Sequence, residues 1–293
     1  MSIDEKGKIL VTGAGGNVAG AVVKSLLAKG ASVRALVHDE SKAKSLKEQG
    51  VELVRGDMTK PETLGEAFNG VSEVFLLTPN SPDAVTMAIN VINAAKGAGV
   101  SHIVRQSVMK AATDSPIRTL RLHAEVEEEL KKSEIAYTII RPQFFMQNTL
   151  SSAESVKLKG VLSLPLKDAK IGMIDVRDIG EVVAHVLTTE GHEGKTYTIT
   201  GPKTISLRDA AAALSKAVGK EVKYMDAPLE AAGKMMMDMG MPKWEVEALG
   251  EQFTALGEGF GDFVTDDVQE LLGRPARTFE QFTKDLAPAF KGS

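Results

Sequence analysis

Lys8-Ile9-Leu10-Val11-Thr12-Gly13-Ala14-Gly15-Gly16-Asn17-Val18-Ala19 places a short apolar run directly before three glycines, and from 21 to 27 the apolar residues fall at helical spacing. Strand, glycine turn and helix are the context that a phosphate-binding turn requires. Glycine lets the backbone bend sharply and come close to a pyrophosphate, and the helix behind it offers free N–H groups and the positive end of its dipole. The strict G-x-G-x-x-G spacing is not met, because Val18 stands in the last place. The looser G-x-x-G-x-x-A is met by Gly13, Gly16 and Ala19. Gly13, Gly15, Gly16, Asn17 and Val18 are therefore expected to contact a dinucleotide. The alternative is a glycine-rich turn with no ligand, against which the surrounding strand–helix rhythm weighs.

Outward from this turn the rhythm continues. Strands are expected at 33–37, 51–54, 74–77, 102–105 and 137–140, with helices at 41–48, from Pro61 to Asn69-Gly70, and at about 82–98. Short apolar runs alternating with helices read as parallel strands with right-handed crossovers on both faces, a doubly wound α/β sheet of the Rossmann type with its ligand at the carboxyl edge. After about Leu150 the rhythm loosens. A strand is expected at 171–176, a helix capped by Asp178, a strand at 196–200, an amphipathic helix at 206–218, a last short strand at 222–224, and a Met-rich, mostly helical end from Pro228. The expected organisation is a dinucleotide-binding Rossmann domain over 1–150. A smaller, mostly helical C-terminal substrate lobe over 151–293 then completes the sheet and covers the substrate cleft.

Composition narrows the function classes. The 293 residues carry a formal net charge of -4 without a dense Lys/Arg block, so neither nucleic acid nor a membrane surface is an expected partner. No apolar stretch would span a bilayer. With 0 cysteines there is no disulfide framework, thiolate metal site or cysteine nucleophile, and with no signal-peptide pattern the expected compartment is the reducing cytoplasm. His102, His185 and His192 lack metal-ligand spacing, and no metal is expected.

The end of the second strand bears on which dinucleotide is bound. Asp39 there would favour NAD by holding the ribose 2′-OH, whereas His38, Lys42 and Arg34 could hold a 2′-phosphate. The reading adopted is NADP (NADPH), with NAD as the second choice. Asp57-Met58, past the third strand, is placed to meet the adenine or else to begin the next helix.

These residues, with several further stretches, resemble the NmrA-like branch of the short-chain dehydrogenase/reductase superfamily, and within it the bacterial NADPH-dependent quinone and triphenylmethane-dye reductases. The matching stretches include Arg34-Ala35-Leu36-Val37, Val54-Arg55-Gly56-Asp57, Ile92-Asn93-Ala94-Ala95-Lys96, and His123 with Glu127. Further on come Tyr137-Thr138-Ile139-Ile140-Arg141-Pro142-Gln143-Phe144-Phe145-Met146 and Ile174-Asp175-Val176-Arg177-Asp178-Ile179. His38 departs from the family, which usually carries Arg there to meet the 2′-phosphate, and an imidazole is a weaker cation near neutral pH.

The resemblance implies hydride transfer, and the sequence constrains its partner groups. Ordinary members of the superfamily use Tyr-x-x-x-Lys as proton donor. Of the 3 tyrosines none qualifies, since Arg141, Gly201 and Pro228 stand four residues after Tyr137, Tyr197 and Tyr224. Epimerase or alcohol-dehydrogenase chemistry thereby loses its acid, but hydride delivery to an electron-poor quinone or dye does not need one. His123 lies on the helix where the superfamily keeps that tyrosine, with Glu127 one turn on. A carboxylate there would raise the imidazole pKa and orient the ring. The plain alternative is a solvated face with the i,i+4 pairs Glu127–Lys131 and Glu128–Lys132. Gln106-Ser107 ends the fifth strand, where the superfamily keeps a serine beside the nicotinamide, and Ser107 could donate to an acceptor oxygen. Leu77-Thr78-Pro79 should pass the nicotinamide ribose, and by resemblance Pro142, Phe144 and Phe145 wall the nicotinamide site. Met235, Met236, Met237, Met239 and Met241 read as helix packing before a pocket lining. The first reading is thus a reductase of a small-molecule acceptor, in which a homodimer can be accommodated. The second is a non-catalytic redox sensor of the NmrA type, acting through a protein partner.

Overall fold

Each of the six apolar runs up to residue 140 forms a strand. The computed structural model describes residues 7–291, with the side chain of Lys42 also outside the described residues. Its strands are β1 (Lys8–Val11), β2 (Val33–Val37), β3 (Glu52–Arg55), β4 (Val71–Leu76), β5 (His102–Gln106), β6 (Ala136–Pro142), β7 (Val161–Leu164), β8 (Thr196–Ile199) and β9 (Lys223–Asp226). The chain divides into two compact units, one of residues 1–142 and 179–198, the other of 143–178 and 199–293.

In the first unit the sheet order is β3-β2-β1-β4-β5-β6-β8, and every pairing from β3 to β6 is parallel. The order reverses between β1 and β4, and at such a switch point the strand ends part to leave a crevice. The helices are α1 (Asn17–Ala28), α2 (Lys44–Glu48), α3 (Ala84–Gly97) and α4 (Arg118–Lys132). On one face α3 and α4 bury Val91, Ile92, Val126 and Leu130 against Leu10, Val74, Leu76 and Ile103. At an apolar transfer value of about 25 cal/mol per Å², this burial is the main stabilising term for the layer. Two of the expected helices come out differently. The 41–48 segment is a 3-10 turn, Glu40–Ala43, followed by α2, and the segment from Pro61 is two short 3-10 turns, Pro61–Thr63 and Gly65–Phe68. The guanidinium of Arg34 draws the carbonyls of Ala67 (2.9 Å) and Asn69 (2.7 Å) out of any helical ladder.

The second unit holds α5 (Ala153–Lys159), α7 (Leu207–Val218), α8 (Leu229–Asp238) and α9 (Lys243–Gly257), with α6 (Val176–Thr188) beginning at its edge. β7 and β9 pair in parallel as a separate two-stranded sheet, so the short strand expected near 222–224 finds a partner that sequence spacing did not indicate. The strand expected at 171–176 reduces to isolated bridges, Ile171 with Ile205 and Phe145 with Ile174. Gly172 explains the break, because a Cβ there would lie 2.4 Å from the Phe263 carbonyl and the backbone must run past it. Asp178 does not cap α6. Asp175 accepts from the Arg177 N–H instead, while the Asp178 carboxylate takes Arg274, Arg277 and the Arg277 N–H.

Burial alone would raise the Asp175 carboxyl, but Arg177, bonded to both of its oxygens, and Gln147 hold it below the ordinary carboxylate value. A carboxyl depressed in the folded state contributes stability that is complete above the unfolded value and lost as the pH falls through the folded one. Asp175→Asn should therefore flatten the loss of stability as the pH falls below the ordinary carboxylate range in a urea-midpoint series. An unchanged slope would mean the pair contributes nothing. No helix among the described residues is long and apolar enough to cross a membrane.

Candidate active site

The glycine turn is built as its sequence requires. Gly13 adopts φ +68°, a conformation that L side chains rarely take, and Gly16 precedes α1 as its N-cap without a capping side chain. A Cβ on Gly15 would meet nothing within 4 Å, and one on Gly16 only the Gly13 carbonyl at 3.4 Å, so the space over the turn is open to a ligand. Asn17 is exposed, whereas the Val18 side chain is buried and leaves only its backbone to face outward. Thr12, overlooked in the sequence, ties this turn to the end of β4. Its hydroxyl donates to the Leu77 carbonyl (2.8 Å) and accepts from the Leu77 N–H (2.8 Å). Gly13 and the Leu77-Thr78-Pro79 segment are thereby held together at the switch point.

At the next strand end, His38 is exposed after β2, and Asp39 spends one carboxylate oxygen on the N–H and hydroxyl of Ser41. The Lys42 side chain lies outside the described residues. Arg34 cannot serve a 2′-phosphate, contrary to expectation. It sits near the amino end of β2, 5% exposed, bound to Glu52 and to the carbonyls named above. Arg55 was passed over in the sequence; it is exposed at the end of β3, opposite Val37 in register. Asp57 follows it with one oxygen taken by Thr59. The Thr59 hydrogen bonds, then His38 and Lys60, keep its carboxyl below the ordinary range. Met58 packs against the core and its carbonyl accepts from Asn90.

The ends of β4 and β5 and the starts of α3 and α4 line a small, half-open pocket, its walls including Thr78, Pro79, Ala84, Arg105, Leu122 and His123. Arg105 is 1% exposed. It donates to the Leu76 carbonyl (3.2 Å), the Thr78 hydroxyl (3.1 Å) and Nδ1 of His123 (3.3 Å). A charged residue in the middle of a central parallel strand was the signal that could have marked it in the sequence. Burial, and then the Arg105 charge, push the His123 imidazole down to about 3. The expected rise from Glu127 is thus reversed. Glu127 is turned from the solvent. It is buried, accepts from Ser107 (2.5 Å) and is clamped by Nε (2.9 Å) and Nη2 of Arg141. The ion pairs of the exposed face are Glu128–Lys131 and Glu129–Lys132, at i,i+3. Ser107 accordingly gives its proton to Glu127 and has none left for an acceptor oxygen. Its neighbour Gln106 ends β5 buried, with Oε1 lacking a hydrogen-bond partner among the described residues.

Pro142 closes β6 and its carbonyl accepts from Met109 N–H (3.1 Å). Phe144 and Phe145 belong to the second unit, where Phe144 meets the edge of Phe253 with ring centroids 6.5 Å apart. His102 bonds Thr138, and His192 bonds Thr189 and Tyr197, so both are structural. Among the described residues no cluster of His, Asp or Glu could hold a metal ion.

A reversed strand order, an open glycine cradle before a helix and polar side chains gathered at the neighbouring strand ends define a dinucleotide-binding protein of the Rossmann type. The chain belongs to the NmrA-like family, whose model matches residues 5–283. It is 41% identical to an NAD(P)H azoreductase of Xenophilus azovorans over 96% of this chain and 99% of that protein. The structure of an NADPH-dependent quinone oxidoreductase from Escherichia coli, complexed with NADPH, superposes with a TM-score of 0.84 at 29% identity, covering 95% of this chain and 99% of the other. That of a Citrobacter sp. triphenylmethane reductase complexed with NADP(H) does so with a TM-score of 0.82 at 28% identity, covering 94% and 99%. The chain is an oxidoreductase of this family. The non-catalytic sensor considered from the sequence draws no support from these relatives.

Proposed function

We propose that this chain is a cytoplasmic reductase that uses NADPH to reduce a small, electron-poor acceptor such as a quinone, an azo compound or a triarylmethane dye. The observation that carries this reading is the pocket at β4, β5 and α4. Its ionisable side chains are Arg105 and His123, the chain has no Tyr-x-x-x-Lys, and burial and the Arg105 charge keep the His123 imidazole neutral, so it is not poised to release a proton. Such a site suits an acceptor that takes hydride without prior protonation.

NADPH, when bound, supplies the hydride. Gly13, Gly15, Gly16, Asn17 and the backbone of Val18 would hold its pyrophosphate, and Asp57 and Met58 its adenine end. Leu77, Thr78 and Pro79 would border the nicotinamide ribose, with Gln106 and Pro142 at the neighbouring strand ends. His38, Lys42 and the exposed Arg55 are the cations for the 2′-phosphate. Cys-free composition accords with a reducing compartment.

Following nicotinamide absorbance with a panel of quinones and dyes tests the reading. Oxidation of NADPH dependent on the acceptor is expected, and tight NADPH binding without turnover of any acceptor would overturn it. His38→Arg should tighten NADPH binding about three- to tenfold while leaving NADH unchanged, because a permanent, forked cation replaces an imidazole. Equal changes for both dinucleotides would remove His38 from the 2′-phosphate site.

A further inference from the structure

A guanidinium has donors only, so the Arg105–His123 contact at 3.3 Å settles the imidazole's tautomer: Nδ1 accepts and the proton resides on Nε2. That Nε2–H belongs to a pocket-lining residue and makes no hydrogen bond to the described residues. Arg105 is held from two further sides, by the Leu76 carbonyl and the Thr78 hydroxyl, so the ring inherits a fixed orientation from β4 and β5. Of the residues lining the pocket Arg105 is the ionised one; α3 contributes Ala84, the Thr78–Ser81 loop neutral groups, and α4 Thr119 and Leu122. Glu127, on the same helix as His123, is occupied by Ser107 and Arg141.

We infer that His123 is a catalytic residue that acts as a neutral imidazole, donating an Nε2–H hydrogen bond to an acceptor oxygen or nitrogen that turns anionic, and that Arg105 is the positioning residue that sets this tautomer. The inference rests on the reductase reading and sharpens its substrate class. A fixed donor beside a buried cation stabilises charge that grows negative in the transition state and repels a cation in the ground state. Neutral acceptors with a carbonyl or azo group are favoured over cationic dyes. The acceptor gains two electrons and a proton as hydride from the dinucleotide, which is oxidised, and draws its second proton from water. His123 keeps its own proton throughout, as its low pKa requires of a ring that cannot cycle through imidazolium near neutrality.

Nitrogen NMR of histidine-labelled protein should show His123 protonated at Nε2, bare at Nδ1 and silent to pH between about 5 and 8. A ring that titrates in that range, or carries its proton on Nδ1, would overturn the inference. Arg105→Met should release the tautomer, with proton signal appearing at Nδ1 as well as Nε2, while burial still keeps the ring neutral; an unchanged spectrum would deny Arg105 its role. In kinetics, His123→Leu should lower turnover of a neutral quinone by about tenfold to a hundredfold, with partial rescue by His123→Gln, which retains a donor. Reduction of a cationic triarylmethane dye should change by less than about threefold, and the NADPH Kd should be unaltered. Equal losses on both acceptors, or none on the quinone, would sink the electrophile role. If the wild-type protein reduced neither acceptor, the reductase reading would fail, and the spectrum alone would still decide whether Arg105 sets the tautomer.

Discussion

Gly16→Val is expected to weaken NADPH binding by about a hundredfold or more while the protein stays folded. The backbone at Gly16 has φ -92° and ψ 164°, which any residue adopts, so the substitution introduces no strain in the chain. What it does is fill the open space over the turn, where no side chain caps the start of α1. A pyrophosphate needs that approach, and a branched side chain denies it. Gly13→Val should be worse in a different way. At φ +68° a β-branched residue costs about 1–3 kcal/mol of fold stability, and its methyls must be placed beside Leu77, which the Cβ alone already touches at 3.4 Å, next to the segment that Thr12 anchors. Fluorescence titration of NADPH beside thermal unfolding separates the two effects. Gly16→Val should lose affinity at a nearly unchanged Tm, and Gly13→Val should lose both. An unaltered Kd in Gly16→Val would put the dinucleotide elsewhere.

The largest expected loss of stability follows from Glu127→Ala, at about 3 kcal/mol in urea unfolding. Glu127 is 1% exposed and receives three hydrogen bonds, one from Ser107 and two from Arg141. Removing it leaves the Arg141 guanidinium, three-quarters buried, without its carboxylate, and takes from Arg105 the negative charge that offsets part of its burial. Breaking one side of such a pair costs far more than replacing both sides with apolar groups of similar volume. The double variant Glu127→Leu, Arg141→Met should therefore recover more than half of the loss. A single-variant cost under about 1 kcal/mol would show the pair to be solvated in solution, as an ordinary surface ion pair is.

Much of the first unit's fold was legible in the sequence. The alternation of apolar runs set the order of strands and helices up to β6, and the glycine spacing marked the turn that later proved open. The resemblance in Tyr137 to Met146 pointed to the right family. The failures share a cause. The 61–70 segment has helical composition, but Arg34, 33 and 35 residues before Ala67 and Asn69, bonds their carbonyls. The 171–176 run has strand composition, but Gly172 and Gly201 let other backbones pass too close for a ladder: a Cβ on Gly201 would lie 2.1 Å from the Met173 carbonyl. The pairing of β7 with β9 joins segments sixty residues apart, and no short-range pattern announces it.

The sequence by itself determined the Rossmann order, the glycine turn at Gly13 to Gly16 and the absence of a Tyr-x-x-x-Lys, because these depend on backbone sterics, local apolar spacing and residue type. Only the tertiary structure decided which side chain answers which. Helical spacing offered Glu127 to His123, an arrangement that would have made the imidazole a proton donor. Folding instead brought Arg105 from β5 onto Nδ1 and Arg141 from β6 onto Glu127. Four residues of separation on a helix places two side chains on one face but sets neither one's partner. A buried charge takes the opposite charge or the free acceptor that the neighbouring strands bring within reach, and that choice is made across the sheet.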